Sequence, residues 1–346
     1  MRILVDLNHP AHVHLFRNAI LEWRKQGHEV VIAARDKDIT LQLLQLYGLD
    51  YVKTAGMRPG LVAFPLGVLE LDWKIWRLAR RFDPDWMIGT SFAIAHVSKL
   101  VRARSIVFAE DAIRANRWFW RLVDPFADYI ATPDLLNDDH GPRHLKYPSY
   151  QKLAYLHPNR FKPDPVIYDE LGLKRGQTYS VLRFVAFQAS HDIGHGGMSD
   201  NFKRDLIALL SSYGPLFISS EMPLSPLLKK YALQISPDRI HHALAFASVL
   251  VSESATMVTE AAILGTPAFY CSTLVGSIPV IDELEKKYGL AFQFLPASSQ
   301  ALLDTTKNIL GEPDRSEHWR LRHEKMLADK IDLTDWIVKL PVSLQR

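Results

Sequence analysis

The sequence predicts an α/β protein of two Rossmann-like domains. Three observations lead there. Apolar, strand-like runs alternate with amphipathic helical stretches along residues 2–131, the same alternation resumes at 178, and a proline-rich stretch separates the two series. Apolar strands joined by helices imply parallel sheets covered on both faces.

The first series opens on the run at 2–7. A helical pattern follows, with Val13, Phe16, Ile20 and Trp23 on one face and Gly27 as its stop. Further strands are expected at 29–34, 50–54, 86–89, 105–108 and 129–131, and a helix at 38–47 ends at Gly48. Between 137 and 176, Pro142, Pro148, Pro158, Pro163 and Pro165 restrict the backbone, so this stretch should hold few regular elements and connect the domains. The expected domains are 1–162 and 163–346. In the second, strands are expected at 178–187, 215–219, 248–251 and 267–270, with helices at 201–213, 224–233, 256–264 and 281–288. The charged, helical tail at 314–339 is expected to pack back on the first domain.

Composition bounds the function. A chain of 346 residues, 48% hydrophobic and 23% charged, is globular and long enough for two cores. One cysteine, Cys271, allows no intrachain disulfide and fits a reducing compartment. The first residues read as a buried strand rather than a signal peptide, and no apolar run approaches the roughly 20 residues of a membrane span. A cytoplasmic location is expected. A formal charge of +3 with scattered basic residues argues against nucleic acid as a partner. Trp73, Trp76 and Arg80 share one helical spacing, as do Arg114, Trp118 and Arg121. Such faces suit peripheral contact with the inner membrane surface.

Ligands of open α/β sheets sit beyond the carboxyl ends of the strands. The turn after the first strand, Asp6-Leu7-Asn8-His9-Pro10-Ala11-His12-Val13-His14, has no G-x-G-x-x-G, so no dinucleotide cofactor is expected, nor any other. It offers three histidines, suited to proton transfer near neutral pH. His12 lies at a helix start, where the dipole favours neutral imidazole, and is the expected catalytic base, with His9 next and His14 last. His12 and His14, two residues apart, face different ways, and no H-E-x-x-H accompanies them, so no metal site is expected. Glu110 and Asp111, just after strand 105–108, are the next candidates for the base.

A second signal lies at 249–267, where a β-branched strand meets Ser252, Glu253, Ser254, Ala255, Thr256 and Met257, then a helix ending at Gly265. Capping by Ser252, Ser254 or Thr256 leaves free N–H groups at a positive dipole end, which receives phosphate without a lysine. Glu260 lies one to two turns into that helix, where a carboxylate can accept from ribose hydroxyls.

This segment, running to Gly265-Thr266-Pro267, resembles the donor-binding motif of GT-B glycosyltransferases and nucleotide-sugar 2-epimerases. The start His9-Pro10-Ala11-His12-Val13-His14, with Ala33-Ala34-Arg35-Asp36-Lys37-Asp38, is similar to a prokaryotic family of GT-B-like proteins. The resemblance implies a GT-B-type α/β fold, its two domains facing across a cleft, with nucleotide-sugar on the second. It implies that Arg183 meets the diphosphate, that His191 and Asp192 shape the sugar site, and that the loop holding His241 contacts the base. Ser219 and Glu221, after strand 215–219, are expected to line the same site.

The expected function is a metal-independent glycosyltransferase of glycan or polysaccharide biosynthesis. Its partners would be a UDP-type nucleotide-sugar and a glycan or lipid-linked acceptor. A nucleotide-sugar 2-epimerase is the first alternative, although the Gly-Thr-Arg-Pro-Glu-like first turn of those enzymes differs from Leu7-Asn8-His9-Pro10-Ala11. A non-catalytic sugar-nucleotide or glycan-binding protein is the second.

Overall fold

The computed structural model describes residues 1–54, 63–114, 116–185, 197–313 and 315–345. The chain forms two compact units, one of Met1–Arg160 with Lys330–Arg346 and one of Phe161–Asp329. Each is α/β with a wholly parallel sheet.

The first unit holds β1 (Arg2–Leu7), β2 (Glu29–Arg35), β3 (Val52–Thr54), β4 (Trp86–Gly89), β5 (Arg104–Phe108), β6 (Tyr129–Pro133) and β7 (His144–Tyr147), in the order β3-β2-β1-β4-β5-β6-β7. From Ile3 onward β1 is buried, as is all of β4, the near-continuous burial of a strand covered on both faces. Strand order reverses between β1 and β4, where Asp6 pairs with Gly89. A Cβ on Gly89 would fall 2.6 Å from the Asp6 carbonyl oxygen, so this approach admits only glycine. The helix Pro10–Lys25 buries Val13, Phe16, Ala19, Ile20 and Trp23 and ends where Gly27 takes φ +82°. The C-terminal segment belongs to this unit: Trp23 Nε1 donates to the Val338 carbonyl at 3.2 Å, and Thr334 Oγ1 to that of Ala154 at 2.6 Å.

The second unit holds β8 (Ser180–Phe184), β9 (Leu216–Ser220), β10 (Val249–Ser252), β11 (Ala268–Cys271) and β12 (Ala291–Phe294), in the order β12-β11-β10-β8-β9. Numbered within the unit, this is the doubly wound order 2-1-3-4-5, with its reversal between β8 and β10. Arg183 lies beside Ser252 on one side and Ser219 on the other, so three expected site residues share one register row.

Two corrections concern elements. The helix expected at 224–233 is only the 3-10 turn Lys229–Tyr231, because Pro223 and Pro226 interrupt it. The Leu233 N–H instead donates to the Ile218 carbonyl of β9 at 2.9 Å. The proline-rich stretch is less irregular than expected, since it contains β7 and the short helices Leu153–Leu156 and Ile167–Glu170.

Candidate functional site

In the second unit, the row at the reversal point forms a polar edge. Arg183 donates from Nη1 to Ser219 Oγ at 2.9 Å and from Nη2 to Glu221 Oε1 at 2.6 Å. Its buried Nε has no hydrogen-bond partner among the described residues. Beyond β10, the Ser254 N–H donates to Ser252 Oγ at 2.8 Å, and Ser254 caps the helix Ala255–Ile263 by accepting from the Met257 N–H at 3.5 Å. Ser254, Ala255 and Thr256 remain partly exposed, while the helix is buried from Met257 onward. One partly exposed helical turn with a positive dipole end thus follows the strand paired with that of Arg183. The arrangement can take an anion such as a diphosphate.

Other expected contacts here have different partners. The buried Glu253 carboxylate accepts from the Val185 N–H at 2.9 Å and the Met198 N–H at 2.7 Å, with Lys203 Nζ at 3.5 Å. It is committed to holding its own unit together. His241 lies not in a loop but on the helix Ile240–Phe246, buried, with Nε2 3.1 Å from Glu260 Oε1. Glu260 is itself buried rather than solvated. The neighbouring Arg239 pairs with Asp164 and Glu170, each at 2.9 Å, which anchors this helix. His191 and Asp192 lie outside the described residues.

In the first unit, the reversal between β1 and β4 gathers a second polar group. His9 caps the helix Pro10–Lys25, its Nδ1 accepting from the Ala11 N–H at 3.2 Å, while Nε2 lies 3.9 Å from Asp38 Oδ2. His12 Nδ1 lies 2.7 Å from Thr90 Oγ1 and accepts from the Asn8 N–H at 3.4 Å. A backbone N–H aimed at Nδ1 favours the tautomer with its proton on Nε2, and the Thr90 hydroxyl, donor or acceptor by rotation, permits either form. The buried Asp6 accepts from the Ser91 hydroxyl and from Asn8 Nδ2, the latter at 2.8 Å. His14 is buried away from this group, stacked 5.1 Å from the Tyr155 ring. Glu110 is bound to Lys152 and to the Gln151 N–H, so its carboxylate is occupied, and Asp111 is exposed beside it.

Burial is the largest cause of the histidine shifts. It pushes His9 down to about 4 and His12 down to about 3, with Lys37 and Lys152 adding to it and Asp38 opposing it at His9. Burial pushes the Asp6 carboxyl up. Both rings are therefore neutral near pH 7. The unfolded chain takes up these protons near pH 6.5 and the native chain only below about 4, so stability is lost as pH falls through that window. The full His12 shift corresponds to about 5 kcal/mol, and the ring's solvent access reduces it. Melting temperatures read from pH 7 to 4 should fall less steeply for His12→Gln than for the wild type. That difference isolates the ring from Asp6, which acts in the opposite sense. Parallel curves would contradict the shift.

Sequence reasoning passed over Asn8, Thr90 and Ser91. The signal for the last two was available: Gly89-Thr90-Ser91 follows an apolar strand and places small hydroxyl residues at its carboxyl end. Among the described residues no three His, Cys, Asp or Glu side chains gather as a metal site.

No protein-family model and no curated protein matches the chain by sequence. Solved structures do match its fold. A UDP-GlcNAc 2-epimerase from Neisseria meningitidis bound to UDP-GlcNAc aligns over 100% of both chains at 13% identity with a TM-score of 0.68. A Staphylococcus aureus MnaA–UDP structure covers 99% of this chain and 97% of its own at 12% identity, TM-score 0.66. Acinetobacter baumannii MurG covers 99% and 100% at 13% identity, TM-score 0.61. With two parallel α/β units and these full-length matches, the chain has the fold of the GT-B superfamily.

Proposed function

We infer that this chain is a nucleotide-sugar-dependent enzyme, a metal-independent glycosyltransferase of glycan assembly. Its second unit would take the UDP moiety at the β8–β10 reversal. The observation that carries the reading is the pairing of Arg183 with Ser252, which sets a guanidinium beside the strand leading into the partly exposed first turn of the helix Ala255–Ile263. Arg183 would exchange Glu221 for the diphosphate, and the Ala255 and Thr256 amides would meet its other oxygens. The positive charge and the helix dipole then stabilise the leaving group. The first unit would supply the base. With the Asn8 contact at Nδ1 released and the Nδ1 proton directed to Thr90, His12 would take the acceptor hydroxyl's proton on Nε2. The oxygen attacks the anomeric carbon as the bond to UDP breaks, and a single displacement inverts that centre.

Glu260 enters this reading as an acceptor for ribose hydroxyls that also faces His241. Glu260→Gln should weaken UDP binding by about 1.5–3 kcal/mol, roughly 10- to 150-fold, in a variant that still folds. Calorimetric titration tests this. Unchanged affinity with a lower melting temperature would assign Glu260 to the buried pair alone.

A second reading is supported by the neighbour at TM-score 0.68, a UDP-GlcNAc 2-epimerase bound to UDP-GlcNAc. Incubating the protein with UDP-GlcNAc alone, followed by proton NMR of the sugar, separates the two. Inversion at C2 without acceptor supports the epimerase. Release of UDP only when an acceptor is added supports the transferase, and binding with no turnover across an acceptor panel supports a non-catalytic binder.

A further inference from the structure

One surface of the first unit plays no part in this chemistry. The helix Ala63–Phe82 buries Leu71, Ile75 and Ala79 against the unit's core. Its opposite side carries Leu66, Leu69 and Trp73, exposed by 56%, 64% and 50%, followed by Arg77 and Arg80. At 100° per residue these five positions fall within an arc of about 80°, so they form one ridge some 20 Å long. The Arg77 guanidinium lies 4.7 Å from the Trp73 ring centre, and that of Arg80 lies 5.1 Å from Trp76. The helix Arg117–Val123 repeats the device: Trp118 is 70% exposed, with Arg121 5.0 Å from its ring centre.

His96 ties the two helices together. Its Nδ1 meets Asp72 at 2.8 Å and its Nε2 meets the Leu122 carbonyl at 2.8 Å, so one imidazole spans from beside Trp73 to beside Arg121. The acids nearby are engaged elsewhere: Glu70 with Lys74, Asp72 with His96 and Asp124 with His140. Among the described residues no carboxylate pairs with Arg77, Arg80, Arg81, Arg117 or Arg121.

We propose that this face docks on a membrane surface of anionic phospholipid, with Leu66, Leu69, Trp73 and Trp118 entering the headgroup boundary and the arginines meeting lipid phosphates. Charge complementarity carries the choice of occupant. A face joining exposed aliphatic and indole side chains to uncompensated guanidiniums matches a layer that is apolar within and anionic at its rim. A nucleic acid would use the arginines but leave Leu66 and Leu69 without a role.

Vesicle flotation of the full chain tests this, comparing phosphatidylcholine with phosphatidylcholine containing phosphatidylglycerol. The wild type should float with the anionic vesicles at low salt and be released as salt rises. Arg77→Ala/Arg80→Ala/Arg81→Ala should lower the partition coefficient on the order of 100-fold. Leu69→Ser/Trp73→Ser should also weaken binding while preserving its salt dependence. All these positions lie in the first unit, outside the Ser219–Arg183–Ser252 row of the second, so UDP affinity should stay unchanged, and the melting temperature of each variant serves as the folding control. The proposal is overturned if the wild type ignores anionic vesicles, or if the variants float as it does. It is also overturned if Leu69→Ser/Trp73→Ser dissolves a lipid-independent dimer, which would assign the face to a second copy of the chain.

Discussion

His12→Ala is expected to cut turnover about 10²–10⁴-fold while UDP affinity stays within about two-fold of the wild type. The imidazole is held between the Asn8 amide and the Thr90 hydroxyl at the β1–β4 reversal, and its depressed pKa keeps it neutral at working pH. The Asn8 N–H at Nδ1 favours the Nε2–H form in the resting ring. Action as a base through Nε2 requires the proton to move to Nδ1, with the Asn8 contact released and Thr90 Oγ1, 2.7 Å away, accepting it. Thr90→Val should therefore shift the ring toward the Nε2–H tautomer, readable in imidazole ¹⁵N shifts, and slow turnover without loss of fold. His9→Ala should act differently. Its Nδ1 serves as a helix cap, so the variant should lose about 0.5–2 kcal/mol of stability and little rate. Wild-type turnover in His12→Ala would remove the ring from the mechanism and return attention to Asp111.

Arg183→Met should weaken UDP binding by about 3–4 kcal/mol, roughly 150- to 1000-fold. The guanidinium sits in the middle of the Ser219–Arg183–Ser252 row, and its contacts to Ser219 and Glu221 orient it without consuming Nε. Methionine preserves the aliphatic stem and removes the charge. Loss of packing is then separated from loss of the anion contact. Calorimetry of UDP against uridine sharpens the test, because the arginine should matter only for the diphosphate. An equal loss for uridine would point to a collapsed site. No loss for UDP would leave Arg183 as a structural ion pair.

The α/β class and most strands were legible because buried parallel strands such as β1, β4 and β10 are short apolar runs bounded by turn signals. The two unread strands lack that signature. In β7, His-Leu-Lys-Tyr lies at a sheet edge with one fully buried residue, and in β12 only Ala291 is fully buried. The helix at 224–233 was overread because its leucines are periodic, while Pro223 and Pro226 exclude regular hydrogen bonding.

At the candidate site, what is local in sequence was readable. A cap by one of Ser252, Ser254 and Thr256, which the structure assigns to Ser254, and the placement of His9 and His12 at a helix start both follow from a strand-to-helix junction. What depends on strand order was not. Thr90 reaches His12 across 78 positions, and Arg183 adjoins Ser252 only because β8 and β10 are neighbours at the reversal. The inward turn of Glu253 and the meeting of His241 with Glu260 likewise depend on packing between elements.

A structure of the full chain with UDP bound would test the nucleotide-binding claim most directly. Diphosphate oxygens should lie within about 3.2 Å of the Arg183 guanidinium and of the Ala255 and Thr256 amides. Arg183 should have released Glu221, and the ribose should lie toward Glu260. A diphosphate seated instead at the β1–β4 turn among His9, His12 and Thr90, with Arg183 still paired to Glu221, would contradict it.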